Sequence, residues 1–285
     1  MKIIDAHIHF SDIAVFHDTA VLYAGVDYSA RGLLDECDEN NIIGLVGMGL
    51  NETARYEFPD KKANTPMGCD LTGPPGFLHV CLGINPHLIH IPALENALKE
   101  AAGIKIYAGY YHYYINDPVY DPVYRLAEKY GKPVVIHTGD TFSERGLLEY
   151  ARPLPVDNLA ARYRDVDFII AHLGDPWIME ACEVVYKNKN VYADISGLVV
   201  GDAAEAERVK TEPLLRDRFR QGLVFLNQYE KIIYGSDWPL VSMAPYIDLC
   251  KALLPEKEWG KVFYKNALKI FSLQEVNNAN NKHEG

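Results

Sequence analysis

Eight short apolar segments, nearly all separated by helical stretches, predict a single α/β domain folded as a (β/α)8 TIM barrel. The length of 285 residues agrees, because a barrel of this type commonly needs about 250. A third observation is chemical: His7, His9, His137, His172 and Asp237 all fall at the C-terminal ends of expected strands, where such barrels display their functional groups.

The first strand starts at Lys2-Ile3-Ile4 and runs into Asp5-Ala6-His7-Ile8-His9-Phe10. Side chains alternate along a strand, so His7 and His9 share a face about 6.6 Å apart, close enough to hold one ion. On a helix the same spacing would diverge. Taken alone, the pair also reads as an ordinary polar strand end.

Ser29 is placed to cap a helix reaching about Asn40, with Leu33, Leu34 and Cys37 marking its apolar face. The run Ile42 to Met48 is the second strand. Breakers at Asn64-Thr65-Pro66, Met67-Gly68 and Gly73-Pro74-Pro75-Gly76 make 51–76 a long loop. Phe77 to Ile84 is the third strand, and Pro92 opens a helix to about Ala101. Gly103 to Tyr107 is the fourth.

Asp121 is expected to cap the next helix and Gly131 to end it. Val134 to Gly139 follows as the fifth strand, then a polar loop to Pro155 and a short helix from Asp157. Asp167 to His172 is the sixth strand, with Asp175-Pro176-Trp177 opening a helix. Val191 to Ser196 is the seventh. A charged helical stretch from Ala203 to Gln228 breaks near Pro213, Lys231 to Trp238 is the eighth strand, and helices from Pro245 to Phe271 close the body. Residues 1–274 form one domain on this reading, and the Asn-rich stretch 275–285 a flexible tail.

Composition narrows the partners. A formal charge of −11 disfavours nucleic acid, whose phosphates are bound through a surplus of Lys and Arg. The five cysteines lack C-x-x-C spacing and fit buried thiols of a reducing cytoplasm better than a disulfide framework. No run approaches the roughly 20 apolar residues of a membrane span, and the start lacks the apolar core of a signal peptide. The expectation is a cytoplasmic protein with a small-molecule substrate and no membrane partner.

A hydrolytic metal site needs about three or four N/O ligands and a position for water. His7, His9, His137 and Asp237 meet that requirement. Zn²⁺ suits the set best, with Mn²⁺, Fe²⁺ and Co²⁺ compatible by ligand type. A metal there would bring the pKa of water toward about 7 and polarise a carbonyl, with Asp237 and His172 handling protons.

His7-x-His9, Val-Ile-His137-Thr-Gly, Ile-Ala-His172-Leu-Gly and Tyr-Gly-Ser-Asp237-Trp-Pro together resemble the amidohydrolase superfamily. More narrowly, the chain is similar to the "amidohydrolase 2" branch, which also holds enzymes like aminocarboxymuconate-semialdehyde decarboxylase. The resemblance spans roughly Met1 to Phe271. It implies a distorted barrel, a divalent metal, usually zinc, on the residues matching His7, His9, His137 and Asp237, and a catalytic role for the one matching His172. Superfamily members with two metals bridge them through a carboxylated lysine on the strand matching that of Lys105, which leaves a second metal open. One metal is usual in the branch, and Lys105 is expected to be a charged residue of the substrate pocket, with a buried or salt-bridged structural lysine as the competing reading. A homodimer is the family habit.

Tyr107 and Tyr110 are expected to wall the pocket after the fourth strand, with His112 too far beyond it to be a ligand. Arg152, or Arg145, is placed to clamp a substrate carboxylate after the fifth strand, with a solvated surface arginine as the competing reading. Asp194, ending the seventh, can position a water or a neighbouring side chain. These features predict a metal-dependent hydrolase in which activated water attacks an amide, lactone or related carbonyl. The alternative is a non-oxidative decarboxylase or hydratase acting on an unsaturated or aromatic carboxylic acid.

Overall fold

The computed structural model of the chain describes residues 1–11, 13–50 and 77–274. The loop expected over 51–76 and the tail expected over 275–285 lie outside the described residues. Eight strands pair in sequence order, β1 (Ile3–Ile8), β2 (Ile42–Met48), β3 (Leu78–Ile84), β4 (Gly103–Ile106), β5 (Val134–Ile136), β6 (Phe168–Ile170), β7 (Val191–Asp194) and β8 (Ile232–Ile233). Every pairing from β1 to β8 is parallel. The result is a nearly closed TIM barrel.

Closure between β8 and β1 is made by single bonds rather than a long ladder. Ala6 N donates to Tyr234 O at 3.0 Å, Asp237 N to His7 O at 2.8 Å and His9 N to Trp238 O at 2.7 Å. β8 has only two residues in strand geometry, so Asp237 sits beyond the strand the sequence assigns it to.

The described α-helices are α1 (Ala14–Thr19) and α2 (Ala30–Asn40) between β1 and β2, α3 (Ile91–Leu98), α4 (Asp121–Tyr130), α5 (Pro155–Arg162), α6 (Ile178–Lys187), α7 (Ala203–Thr211) and α8 (Pro213–Leu226) in the crossovers from β3 onward, and α9 (Met243–Leu253) and α10 (Asn266–Ile270) after β8. Ser29 caps α2 as expected, its hydroxyl accepting from Gly32 N at 3.0 Å. Gly131 ends α4 at φ 59°, also as expected. Asp121 does not cap α4; it is the first helical residue. Its carboxylate instead accepts from Arg162 and from the Tyr163 hydroxyl, tying α4 to α5.

The core has two layers. Ile4, Ala6, Val46, Met48, Val135, Ile169 and Ile233 pack inside the barrel, with Ala267, Ile270 and Phe271 on or beside α10 packed against them. Ile3, Ile8, Ile104, Ile136 and Ile170 belong to the larger layer between strands and helices. Ile4 and Ala6 face inward, so simple alternation would turn His7 outward. A register shift between Asp5 and Ile8 reverses the phase, sending Ile8 to the outer layer and His7 to the interior.

Candidate active site

His7 and His9 follow that shift on β1. His137 follows β5, and His172 lies one residue past the first position after β6, inside a 3₁₀ turn. Two of the site residues adopt the left-handed region that bulky side chains avoid: His172 at φ 60° and Asp237 at φ 69°. Such geometry persists only where the surroundings hold it, and it clusters at functional sites.

Asp194 at the end of β7 is the hub. Its Oδ2 accepts from His7 Nδ1 at 2.8 Å, and its Oδ1 accepts from Ser196 Oγ at 2.5 Å and from His172 N at 2.9 Å. The first bond puts the proton of His7 on Nδ1 and leaves the Nε2 lone pair facing the interior. With its own hydrogen given to Asp194, the Ser196 hydroxyl accepts from His172 Nδ1 at 2.9 Å. These tautomers follow from the bonding partners.

His7 Nε2 lies 3.5 Å from Asp237 Oδ1, and His9 Nε2 lies 3.1 Å from the same oxygen. The ligand atoms of His7, His9 and Asp237 all fall within 4.8 Å of one another. Neither Asp237 Oδ1 nor His9 Nδ1 has a hydrogen-bond partner, though both are buried. A buried carboxylate oxygen between two imidazole nitrogens, close but without hydrogen-bond alignment, fits a site for a cation. His7, His172 and Asp194 form a second group of donors that converge within the same 4.8 Å limit.

Electrostatics point the same way. Burial pushes His7, His9 and His137 below the ordinary imidazole value, and it brings His172 down to about 4. Burial pulls Asp194 and Asp237 upward, but their histidine neighbours outweigh it and hold both below the usual carboxylate range. Lys105 is brought down to about 8 by burial, opposed by Asp194 and Asp237. Two carboxylates held anionic beside one largely protonated amine form a buried cluster whose negative charge a metal ion would offset.

His137 stands one ring away from the three convergent donors His7, His9 and Asp237. Its Nε2 donates to Asp140 O at 2.9 Å, leaving the Nδ1 lone pair 3.1 Å from His172 Nε2. With His172 protonated on Nδ1, two lone pairs meet across that gap, which a shared proton or a cation relieves.

The cavity beside these residues is lined by His9, His137, His172 and Asp237 and walled by Val15, Phe16, Tyr107, Tyr110, Phe142 and Leu240. Phe16 stacks on His9 at 4.8 Å. Both tyrosines expected to wall the pocket do so: Tyr107 donates to Gly49 O at 2.9 Å, and the Tyr110 hydroxyl accepts from Phe142 N at 3.0 Å. The apolar wall residues Val15, Phe16, Phe142 and Leu240 carry no motif, and only the folded chain assembles them.

Lys105 and Arg152 depart from expectation. Lys105 is fully buried, with Nζ 3.2 Å from His7 Nε2, and does not line the cavity among the described residues. Arg152 is exposed, pairs with Glu180 and lies over the Trp177 ring at 5.0 Å. Its guanidinium is thus engaged by α6 and does not line the cavity. His112, not expected to be a ligand, is exposed and bonds Arg145 O at 3.0 Å.

Ser196 and Asp5 were not singled out by sequence. Ser196 follows Asp194 by two residues, an alternation that places both on one side of the strand end. Asp5 is buried beneath the β1 shift, and its Oδ1 accepts from His7 N at 3.2 Å and Ser236 N at 2.9 Å.

A family model described as amidohydrolase matches residues 92–273. The chain belongs to the amidohydrolase family. Family membership carries metal dependence, and the residues converging in the interior are of the types that hold a metal. The His7-x-His9 pair lies ahead of the matched residues. No curated protein matches the sequence.

Solved structures share the fold at low identity. An uncharacterized TIM-barrel protein from Bordetella bronchiseptica superimposes with a TM-score of 0.67 at 16% identity, covering 95% of this chain and 99% of its own. A probable 2-pyrone-4,6-dicarboxylic acid hydrolase from Acinetobacter baumannii gives 0.64 at 18%, covering 96% and 100%. A manganese-bound 5-carboxyvanillate decarboxylase from Novosphingobium aromaticivorans gives 0.61 at 13%, covering 95% and 97%. At these identities the likeness speaks for the barrel, and the barrel hosts both kinds of chemistry.

Proposed function

We propose that this amidohydrolase is a metal-dependent hydrolase acting on an amide, lactone or related carbonyl of a small molecule. The observation that carries the reading is Asp237 Oδ1, buried without a hydrogen bond between His7 Nε2 and His9 Nε2 beside an open cavity. A divalent cation, Zn²⁺ by ligand preference, supplies Lewis acidity there and lowers the pKa of water.

The chain's own groups then have distinct tasks. Asp194 keeps the His7 Nε2 lone pair turned inward, and Ser196 holds His172 by its Nδ1. Asp237, anionic at neutral pH, takes a proton from the attacking water as the new C–O bond forms at the carbonyl carbon. The proton passes to the leaving nitrogen or oxygen as its bond to that carbon breaks. His172, neutral because burial holds it near 4, is the second proton acceptor at the cavity wall. Val15, Phe16, Phe142 and Leu240 offer an apolar surface suited to the hydrocarbon part of a substrate.

The test is a screen of Zn²⁺- and Mn²⁺-loaded protein against lactones, amides and aromatic or unsaturated carboxylic acids. Acid or amine release is expected, together with loss of metal and turnover in His9→Ala and an unchanged far-UV circular dichroism spectrum. Carbon dioxide release from a carboxylate, without hydrolysis of any lactone or amide, would make the protein a decarboxylase instead.

A further inference from the structure

We propose that Glu36, on α2, is a positioning residue for Asp237, holding the loop after β8 so that the carboxylate faces His7 and His9. The inference rests on the reading of Asp237 as a metal ligand. Glu36 reaches the middle of the loop between β8 and α9 and the first residue of α9. Its Oε1 accepts from Trp238 Nε1 at 3.1 Å, and its Oε2 accepts from Met243 N at 2.6 Å. The Ser242 side chain bonds the same carboxylate. Two donors from the loop and one from the start of α9 thus converge on one side chain of another element.

What the loop carries explains why it needs holding. Asp237 sits at φ 69°, a strained conformation that persists only where the surroundings hold it. Leu240, three residues ahead of α9, lines the cavity, and its N–H bonds Asp237 O at 3.0 Å. Trp238, next to Asp237, is fully buried and stacks on Phe10 at 5.6 Å with an interplanar angle of 5°. Phe10 in turn adjoins His9. The indole is therefore a strut between two expected ligands, and Glu36 fixes its polar end.

A capping role for α9 alone is the competing account. The Ser242 side chain makes no capping bond to α9, and Glu36 satisfies the Met243 N–H in its place. Such a role needs only Oε2. The bond from Oε1 to the indole Nε1 does nothing for α9 and directly restrains the residue after Asp237.

The experiment compares wild type, Glu36→Ala, Glu36→Gln and Trp238→Phe for Co²⁺ affinity by chelator competition, for the visible absorption of bound Co²⁺ and for melting temperature. Glu36→Ala is expected to weaken Co²⁺ binding about 10–100-fold, as loss of an outer partner does, and to shift the absorption bands. Glu36→Gln keeps one acceptor oxygen and should recover part of the affinity. Trp238→Phe leaves the bond to α9 intact and should still weaken binding several-fold. It decides the matter if Glu36→Ala does not fold. A lower melting temperature in Glu36→Ala with wild-type affinity and spectrum, or wild-type behaviour of Trp238→Phe, overturns the inference alone. Wild-type protein that holds no Co²⁺ overturns the metal reading and this inference with it.

Discussion

Both oxygens of Asp194 are committed, one to His7 and one to Ser196 and the His172 backbone, so a single carboxylate orients an expected ligand and an expected proton carrier. Asparagine at this position has one acceptor oxygen for those two duties. Asp194→Asn should therefore weaken metal binding about 10–100-fold with the barrel retained, measured by chelator competition alongside circular dichroism. Unchanged affinity would show that Asp194 does not set the His7 tautomer. At the same scale, Arg152 shows why an exposed arginine is hard to assign from sequence. A guanidinium suits a substrate carboxylate and a neighbouring glutamate equally well, and here Glu180 on α6 has it.

Elements decide where these side chains point. Gly197 lies just beyond β7 at φ 60°, and a Cβ there would sit 2.7 Å from Asp237 Oδ2 and 2.8 Å from His172 Nδ1. Gly197→Ala should displace both groups, lower stability by roughly 1–3 kcal/mol and abolish metal retention, read by thermal melting and elemental analysis. Gly235 plays the matching part after β8, where a Cβ would meet His7 Cβ at 2.5 Å.

Away from the site, Asp157 on α5 latches α6, accepting from Asn188 Nδ2 at 2.7 Å and from Lys187 Nζ at 2.6 Å. Those partners, the Asn188 hydrogen bond first, hold its pKa below the ordinary carboxylate value of 3.8. A depressed carboxylate stabilises the fold above its unfolded pKa and loses that contribution as pH falls through the folded one. Asp157→Asn should accordingly cost at most about 1 kcal/mol at pH 7, since the pair is largely exposed, and the deficit should start to shrink only as pH falls below the ordinary value of 3.8 and vanish below the depressed folded value. Urea titrations at pH 7 and in that acid range measure it; a deficit that grows on acidification would contradict the assignment.

At the scale of the whole molecule, the site lies where the barrel closes. His7, His9 and Asp237 belong to the two segments joined by the Asp237 N to His7 O and His9 N to Trp238 O bonds. A cation shared by β1 and the loop after β8 would therefore lock the seam. A ligand that binds the native state alone stabilises it by about 2.7 kcal/mol at 100 times its Kd. For a protein of this size, that corresponds to roughly 4–5 °C. Removal of metal by a chelator should lower the melting temperature by about that amount, and readdition should restore it. Equal melting temperatures would argue that no cation spans the seam.

The sequence by itself determined the barrel and much of its punctuation. Eight apolar runs separated by helices leave few ways to bury both faces of a parallel sheet, and Ser29, Gly131 and Pro213 mark boundaries through local backbone preferences that tertiary context does not alter. The residues His7, His9, His137, His172 and Asp237 were also legible, because strand ends on one face of a barrel converge whatever the packing detail. Only the tertiary structure decided how they converge. The phase shift in β1 that turns His7 inward, the left-handed turns at His172 and Asp237, and the burial of Lys105 against His7 depend on registers between segments far apart in the chain. Asp194, Ser196 and Glu36 act through partners 2–207 residues away, and a single sequence does not show which of its many carboxylates and hydroxyls will meet.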